Sequence, residues 1–262
     1  MSIGDAEIKT QERVIRFFKD PEILGYQYIG NLSDYQNKNI KEDRLRQYLR
    51  LKGYADKLID AAIMQLQQEA GNLSRGVYDA NKTVYSRLKY GIPVSESPEK
   101  PPVTVQLVDE EKPLNNDFAI AEEVTVVEQS EKRPDLVVYL NGIAVAVIEL
   151  KRSSISVSEG IRQNLTNQKN SFIQSFFTTM QFCMAGNESE GLRYGTLLTG
   201  EKFYMEWKDD GFKEHEEERD PVDVRISKTC EGIENKLLKQ IYAMFDKERF
   251  IDLIMNFVVF DK

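Results

Sequence analysis

The sequence predicts an α/β fold in which helices flank a mixed β-sheet, with a mainly helical N-terminal part. Two apolar runs, 136–140 and 143–148, flank Asn141-Gly142, and this pattern predicts a β-hairpin because Asn and Gly tolerate positive φ. A capping-box pattern at Ser156 then predicts a helix that crosses over to later strands. Between residues 8 and 90, by contrast, apolar residues recur at three- and four-residue spacing, as in amphipathic helices.

The N-terminal elements follow from local start and stop signals. Asp43 is expected to cap one helix, and Gly53 and Gly91 to end two helices. The Pro-rich stretch 95–102 is the best candidate for an internal boundary. It separates a mainly helical part, 1–100, from a core, 101–262, and we expect the two to form one compact unit. Helices are predicted at 8–19, 43–52, 55–70 and 77–90, and a strand at 23–30.

The remainder of the chain reads as strands followed by helices, an order typical of a layered α/β structure. The chain ends abruptly in FVVFDK, which suggests a fragment of a longer protein. Strands are predicted at 103–109, 117–128, 176–185, 192–199 and 202–207, helices at 156–169, 231–245 and 247–257, and an acidic loop at 208–221.

Composition excludes several classes of protein. No apolar run approaches the length of a membrane span, and the polar N-terminus is no signal peptide. Cys183 and Cys230 lie far apart, so a reduced, cytoplasmic chain is expected, with a structural disulfide as the alternative. The single histidine, His215, leaves no basis for imidazole metal cages or for Ser/His and Cys/His catalysis. Any metal must therefore be held by oxygen ligands.

The net charge of −8 argues against strong DNA binding by this chain alone, because non-specific affinity comes from phosphate neutralisation. The charge is uneven, since residues 109–123 and 201–220 are both strongly acidic. The rest of the chain is slightly basic, so it could act on DNA that a partner delivers. The basic residues near the hairpin are Lys132, Arg133, Lys151, Arg152 and Arg162.

Three charged residues stand at the open end of the hairpin: Asp135, Glu149 and Lys151. Glu149 and Lys151 share a face because they are two apart in a strand. A plain two-residue turn would place Asp135 on the opposite face. A one-residue bulge at Gly142 would bring it to the same face, so a shared site predicts that bulge.

Two carboxylates and a lysine on one face suit metal-dependent hydrolysis of phosphodiesters. Asp135, Glu149 and the carbonyl of Leu150 offer hard oxygen ligands for Mg²⁺. Lys151 would orient or deprotonate the attacking water and stabilise the transition state. The alternative interpretation is a salt bridge between charges at strand ends.

The stretch PDLVVYLNGIAVAVIELKRSSISVSEGIRQN resembles the nuclease region of the restriction (motor) subunit of type I restriction–modification enzymes, a PD-(D/E)xK nuclease. Similarity extends to NNDFAIAEEVTV before the hairpin and to residues 176–208 and 251–262 after it. The resemblance implies a restriction-endonuclease-like sheet with Asp135 and Glu149 as metal ligands and Lys151 as the catalytic lysine.

The resemblance also implies a division of labour. This chain would cut double-stranded DNA with Mg²⁺ and without sequence specificity. Separate specificity and methylation subunits would recognise and methylate the DNA. ATP would act only through a motor region outside this chain, which has no GxxxxGK[ST] phosphate loop. Gln163 matches a glutamine of related nucleases, but Asn167 stands where they often carry tyrosine. Gln163, Arg152 and Arg162 are candidates for phosphate contact.

Two other functions remain open at this stage. The chain could be a catalytically silent nuclease-fold module that serves assembly, which an unpaired Asp135 would favour. It could also be a stand-alone repair or mobile-element nuclease with the same motif.

Overall fold

A computed structural model describes residues 3–95, 97, 99–208 and 220–260, with side chains from residue 7 onward. It confirms the predicted class, since helices flank a mixed sheet. None of the described helices combines the length and apolar character that crossing a membrane requires. His215 and most of the predicted acidic loop lie outside the described residues. Cys183 and Cys230 are both buried, and they are not joined in a disulfide.

The N-terminal helices form where the apolar spacing predicted them, and one of them spans the predicted residues 77–90. Asp43 is not the cap of its helix, because that helix begins one residue earlier and Lys41 occupies the capping position. Gly53 and Gly91 adopt φ of 85° and 74° after helix ends, a conformation that favours glycine. The helices are α1 (Ile3–Lys19), α2 (Glu42–Leu51), α3 (Asp56–Gly71), α4 (Val77–Tyr90), α5 (Val157–Asn167), α6 (Pro221–Glu231), α7 (Lys236–Phe245) and α8 (Lys247–Asp252).

The strands assemble mainly into one mixed sheet. In the described part of the chain its six strands are, in spatial order, β1 (Gln27–Asn31), β4 (Phe118–Glu122), β7 (Leu136–Leu140), β8 (Ile143–Leu150), β9 (Phe182–Asn187) and β10 (Gly191–Gly195). The β1–β4 and β8–β9 pairs are parallel and the others antiparallel. Helix α5 makes the crossover that the parallel β8–β9 pair requires. The other described strands form two small two-stranded sheets, β2 (Ile92–Val94) with β3 (Val103–Val105) and β5 (Val126–Val127) with β6 (Glu131–Lys132).

The N-terminal hundred residues are not separate from this sheet. Strand β1 is its edge, and one apolar cluster contains side chains from α1 to α4 together with side chains from β7, β8 and α7. The Pro-rich stretch connects β2 to β3, which pair with each other. Residues 96 and 98 of that stretch lie outside the described part.

Several predicted strands were wrong in kind or extent. Residues 174–179 form a 3-10 helix because the carboxylate of Glu128 accepts hydrogen bonds from the backbone N–H groups of Ser175 and Phe176. The strand predicted at 202–207 is a 3-10 turn followed by a single bridge from Met205 to Tyr194. The strand predicted at 103–109 ends at residue 105 and pairs outside the main sheet. Helix α6 was not predicted.

Candidate active site

The register of the β7–β8 hairpin decides whether the charged residues meet. Leu140 pairs with Ile143 across a two-residue turn in which Asn141 and Gly142 have φ of 52° and 83°. The predicted bulge at the turn was therefore wrong. A different irregularity occurs further along, where Tyr139 pairs with Ala144 but Val138 pairs with Ala146. Strand β8 thus contains one extra residue, Val145.

This bulge exchanges the two faces of β8. Val145 and Ala146 both pack in the cluster on one side of the sheet, while Ala144 and Val147 pack on the other. Beyond the bulge, Leu136 pairs with Ile148, so the next positions across the hairpin are Asp135 and Glu149. The shared face that the chemistry requires is present, but a bulge in the strand produces it.

Polar partners outside the hairpin stabilise the bulge. The N–H of Ala144 donates to the carbonyl of Asn39 at 2.8 Å, and the carbonyl of Ala144 accepts from Thr179 Oγ1 at 2.6 Å. The carbonyl of Val145 accepts from the N–H of Gln181 at 2.7 Å. Backbone groups that a regular ladder would satisfy are thus satisfied by two distant segments.

Asp135 and Glu149 are held by different neighbours. Asp135 Oδ2 accepts a hydrogen bond of 2.7 Å from the N–H of Leu150. Glu149 is fully buried, and its Oε2 accepts 2.6 Å from the amide of Gln163. Its Oε1 is also buried and has no hydrogen-bond partner among the described residues. A buried carboxylate oxygen without a donor is costly unless a proton or a cation satisfies it.

Burial changes the protonation of the pair. It raises the pKa of Asp135 to about 6, against the opposing effects of the Lys151 ammonium and the Leu150 N–H. Burial raises the pKa of Glu149 well above its usual range, and the Asp135 carboxylate raises it further. Without a cation, burial therefore favours the protonated forms of both carboxyls. The pair therefore binds a proton where a divalent cation could bind instead.

Helix α1 supplies partners that sequence reasoning missed. Lys151 Nζ lies 3.5 Å from Glu7 Oε1, in an ion pair whose lysine is largely shielded from solvent. One turn later, the amide of Gln11 donates to Glu122 and to Glu123, each at 3.1 Å. Glu7 and Gln11 share a helix face because they are four residues apart. That spacing was visible in the sequence, but nothing local linked it to a hairpin about 130 residues away.

Glu123 lies beside the pair in an unusual backbone conformation. It follows β4 with φ of 50°, and its N–H donates to the carbonyl of Asp135 at 2.8 Å. Its carboxylate lies 2.8 Å from Arg133 Nε. Burial is the largest cause of the raised pKa of Asp135 and of Glu149, and the charge of Glu123 is a smaller cause in the same direction.

The structure brings Gln163 into the site but places Arg162 elsewhere. Gly160 allows α5 to lie close to the sheet, since a Cβ there would be 2.9 Å from that of Ala185. Gln163, one turn on, reaches Glu149. The guanidinium of Arg162 is exposed and binds Glu201 at 2.9 Å and Glu159 at 2.9 Å. Arg152 follows Lys151 directly and is partly exposed.

The donor set fits a small hard cation better than a protein-enclosed cage. In the part of the chain that the structure describes, no group of three or more His, Cys, Asp or Glu side chains is arranged to hold a metal. Asp135, Glu149 and the Leu150 carbonyl offer three oxygens, and Mg²⁺ characteristically keeps several waters. The unpartnered Glu149 Oε1 supplies an acceptor for it.

Comparisons with known proteins cover this site. A family model described as "Type I restriction enzyme R protein N terminus" matches residues 7–203. The chain is 26% identical over 202 residues to a Methanocaldococcus jannaschii protein named "Putative type I restriction enzyme MjaIXP endonuclease subunit". That match covers 69% of this chain and 18% of the relative, so the chain spans less than a fifth of the relative's length.

Proposed function

Because the chain belongs to the family of type I restriction enzyme R protein N termini, we propose that it is the Mg²⁺-dependent endonuclease module of such an enzyme. It hydrolyses phosphodiester bonds of double-stranded DNA and has no sequence specificity of its own. The observation that carries this proposal is the β8 bulge, which brings Asp135 to the same sheet face as Glu149. Lys151 follows Glu149 by two residues in the same strand direction.

The charged residues then have distinct tasks. Asp135, Glu149 and the Leu150 carbonyl would hold Mg²⁺, which when bound neutralises charge on the scissile phosphate and acidifies water. Lys151 orients the attacking water and stabilises the negative charge that develops on the phosphate. Glu7 holds the ammonium of Lys151, and Gln163 fixes the orientation of the Glu149 carboxylate.

The chain's charge fits a module that works inside a complex. With a net charge of −8, it gains little from phosphate neutralisation, so DNA is delivered by partners. On this proposal the partners are methylation and specificity subunits, and ATP is used by a motor region outside these residues. Arg152 and Arg162 are candidates for phosphate contact, and Arg162 would first have to release Glu201. A cytoplasmic location is part of the same proposal.

The test uses the full-length subunit assembled with its partners, with plasmid cleavage and ATP hydrolysis followed side by side. Lys151→Ala should abolish cleavage and leave ATP hydrolysis intact, because Lys151 acts on the phosphate and not on ATP. Lys57→Ala, an exposed lysine on α3, is the matched control and should leave both unchanged. Normal cleavage by Lys151→Ala would refute the proposed site. A wild type that never cuts would favour a silent assembly module.

A further inference from the structure

Glu123 adopts a backbone conformation that a residue with a side chain rarely adopts. Its φ of 50° is in the left-handed region, where a Cβ is crowded by the following carbonyl group. Glycine or asparagine would be the low-cost choice at such a position. A strained residue of the wrong type beside an active site is reason to ask what its side chain does.

The backbone of Glu123 is tied to the residues that carry one of the proposed cation ligands, Asp135. The N–H of Glu123 donates to the Asp135 carbonyl, and the N–H of Val124 donates to the Pro134 carbonyl at 3.0 Å. These two hydrogen bonds hold the chain after β4 against Pro134 and Asp135. The side chain is then fixed by the amide of Gln11 and the guanidinium of Arg133.

A second, independent observation indicates a cation at this cluster. Glu149 Oε1 is fully buried and has no donor among the described residues, although Asp135 stands at the next position across the hairpin. Arg133 pairs with Glu123, yet the charge of Glu123 still raises the pKa of both Asp135 and Glu149. Acidic charge of this kind opposes folding unless a cation offsets it, so its presence is reason to assign Glu123 a role towards a cation.

We propose that Glu123 is a positioning residue for the Mg²⁺ site, acting on the cation through its charge and through water rather than as a direct ligand. The inference rests on the proposed function. A direct role is not supported, because the described carboxylates do not form a three-ligand group. Carboxylates outside the ligand set commonly orient the water or the ligands of a metal, and removing one weakens metal affinity about tenfold or more.

The neighbouring acid provides a matched control. Glu122 accepts a hydrogen bond from the same Gln11 amide, at the same 3.1 Å. It pairs with Leu136, however, whose side chain packs on the sheet face opposite to that of Val137 and hence to that of Asp135. Glu122→Gln therefore removes a carboxylate charge that is next to Glu123 in sequence but lies on the sheet face opposite to that of Asp135.

The experiment measures Mg²⁺ binding by isothermal titration of the full-length subunit without nucleotide. The Asp135→Asn/Glu149→Gln double variant serves as the blank for other cation sites. Glu123→Gln should weaken the remaining binding about tenfold, while Glu122→Gln should bind as the wild type does. Glu123→Gly should lose the same affinity although it relieves the strained φ, and its metal-free thermal midpoint should rise.

The outcomes distinguish a failure of the role proposed for Glu123 from a failure of the proposed function. If the wild type binds Mg²⁺ above the blank and both Glu123 variants bind equally well, Glu123 is not a positioning residue and the proposed function stands. If the wild type binds no more than the blank, the proposed function itself fails. If Glu123→Gln is unfolded by circular dichroism, Glu123→Gly decides alone, because it keeps the turn and removes the charge.

Discussion

The raised pKa of Asp135 makes a quantitative prediction about the cation-free protein. Folding raises that pKa from 3.8 to about 6, so ionised Asp135 favours the unfolded chain. A shift of about two units corresponds to at most about 3 kcal/mol, and the partial exposure of Asp135 reduces this to about 1–2 kcal/mol. Asp135→Asn removes the penalty and keeps an oxygen that can accept from the Leu150 N–H. The variant should therefore be more stable than the wild type near pH 8.

The sign of the pH dependence follows from the direction of the shift. A carboxyl with a raised folded pKa carries no penalty below the unfolded value of 3.8, because it is protonated in both states. The penalty develops as pH rises from about 4 to about 6 and is constant above that. The stability gain of Asp135→Asn should follow the same course, from near zero at low pH to its full value above neutrality.

Urea unfolding of this chain in a chelator, between pH 4 and pH 8, measures the effect. Saturating Mg²⁺ should make the wild type more stable than Asp135→Asn at pH 8, because only the wild type gains binding free energy. A gain that does not change with pH, or a variant less stable than the wild type at pH 8 without cation, would refute the reasoning.

Three further changes test other parts of the site. Glu149→Gln should also stabilise the cation-free protein near neutral pH, because burial raises the pKa of Glu149 and the hydrogen bond from Gln163 can persist. Urea unfolding in a chelator measures this change, and a variant less stable than the wild type would contradict the prediction. Gly160→Ala should lower the free energy of unfolding by about 1–3 kcal/mol, since its Cβ would be 2.9 Å from that of Ala185. It should also slow cleavage by moving α5 away from Glu149. An unchanged melting temperature and an unchanged cleavage rate would show that α5 does not pack closely against the sheet. Gln163→Ala should slow plasmid cleavage by the assembled enzyme about tenfold or more without affecting ATP hydrolysis, and unchanged cleavage would remove Gln163 from the site.

Local signals were sufficient for the fold class, for the N-terminal helices and for the hairpin, but not for every strand or for helix α6. Asn141-Gly142 specified a hairpin with positive φ at both turn residues, and helix α4 spans the residues that its periodicity indicated. The candidate residues Asp135, Glu149 and Lys151 could be found because charges at the ends of buried strands are conspicuous in an apolar sequence.

The bulge could not be predicted, because the signal for it is not in the hairpin. Val145 is one more apolar residue in an apolar run, and its neighbours in sequence do not distinguish it. The groups that stabilise the irregularity belong to Asn39, Thr179 and Gln181, which only the folded chain brings together. Glu7 was missed for the same reason, since its partner Lys151 is 144 residues away.

The most direct test of the account is the position of the cation. Crystals of the subunit soaked in Mn²⁺, as a stand-in for Mg²⁺, would show the ion by its anomalous scattering. The account predicts a peak within bonding distance of carboxylate oxygens of Asp135 and Glu149 and of the Leu150 carbonyl, with water completing the shell. A fully occupied peak elsewhere, with Glu149 Oε1 still unpartnered, would contradict the central claim.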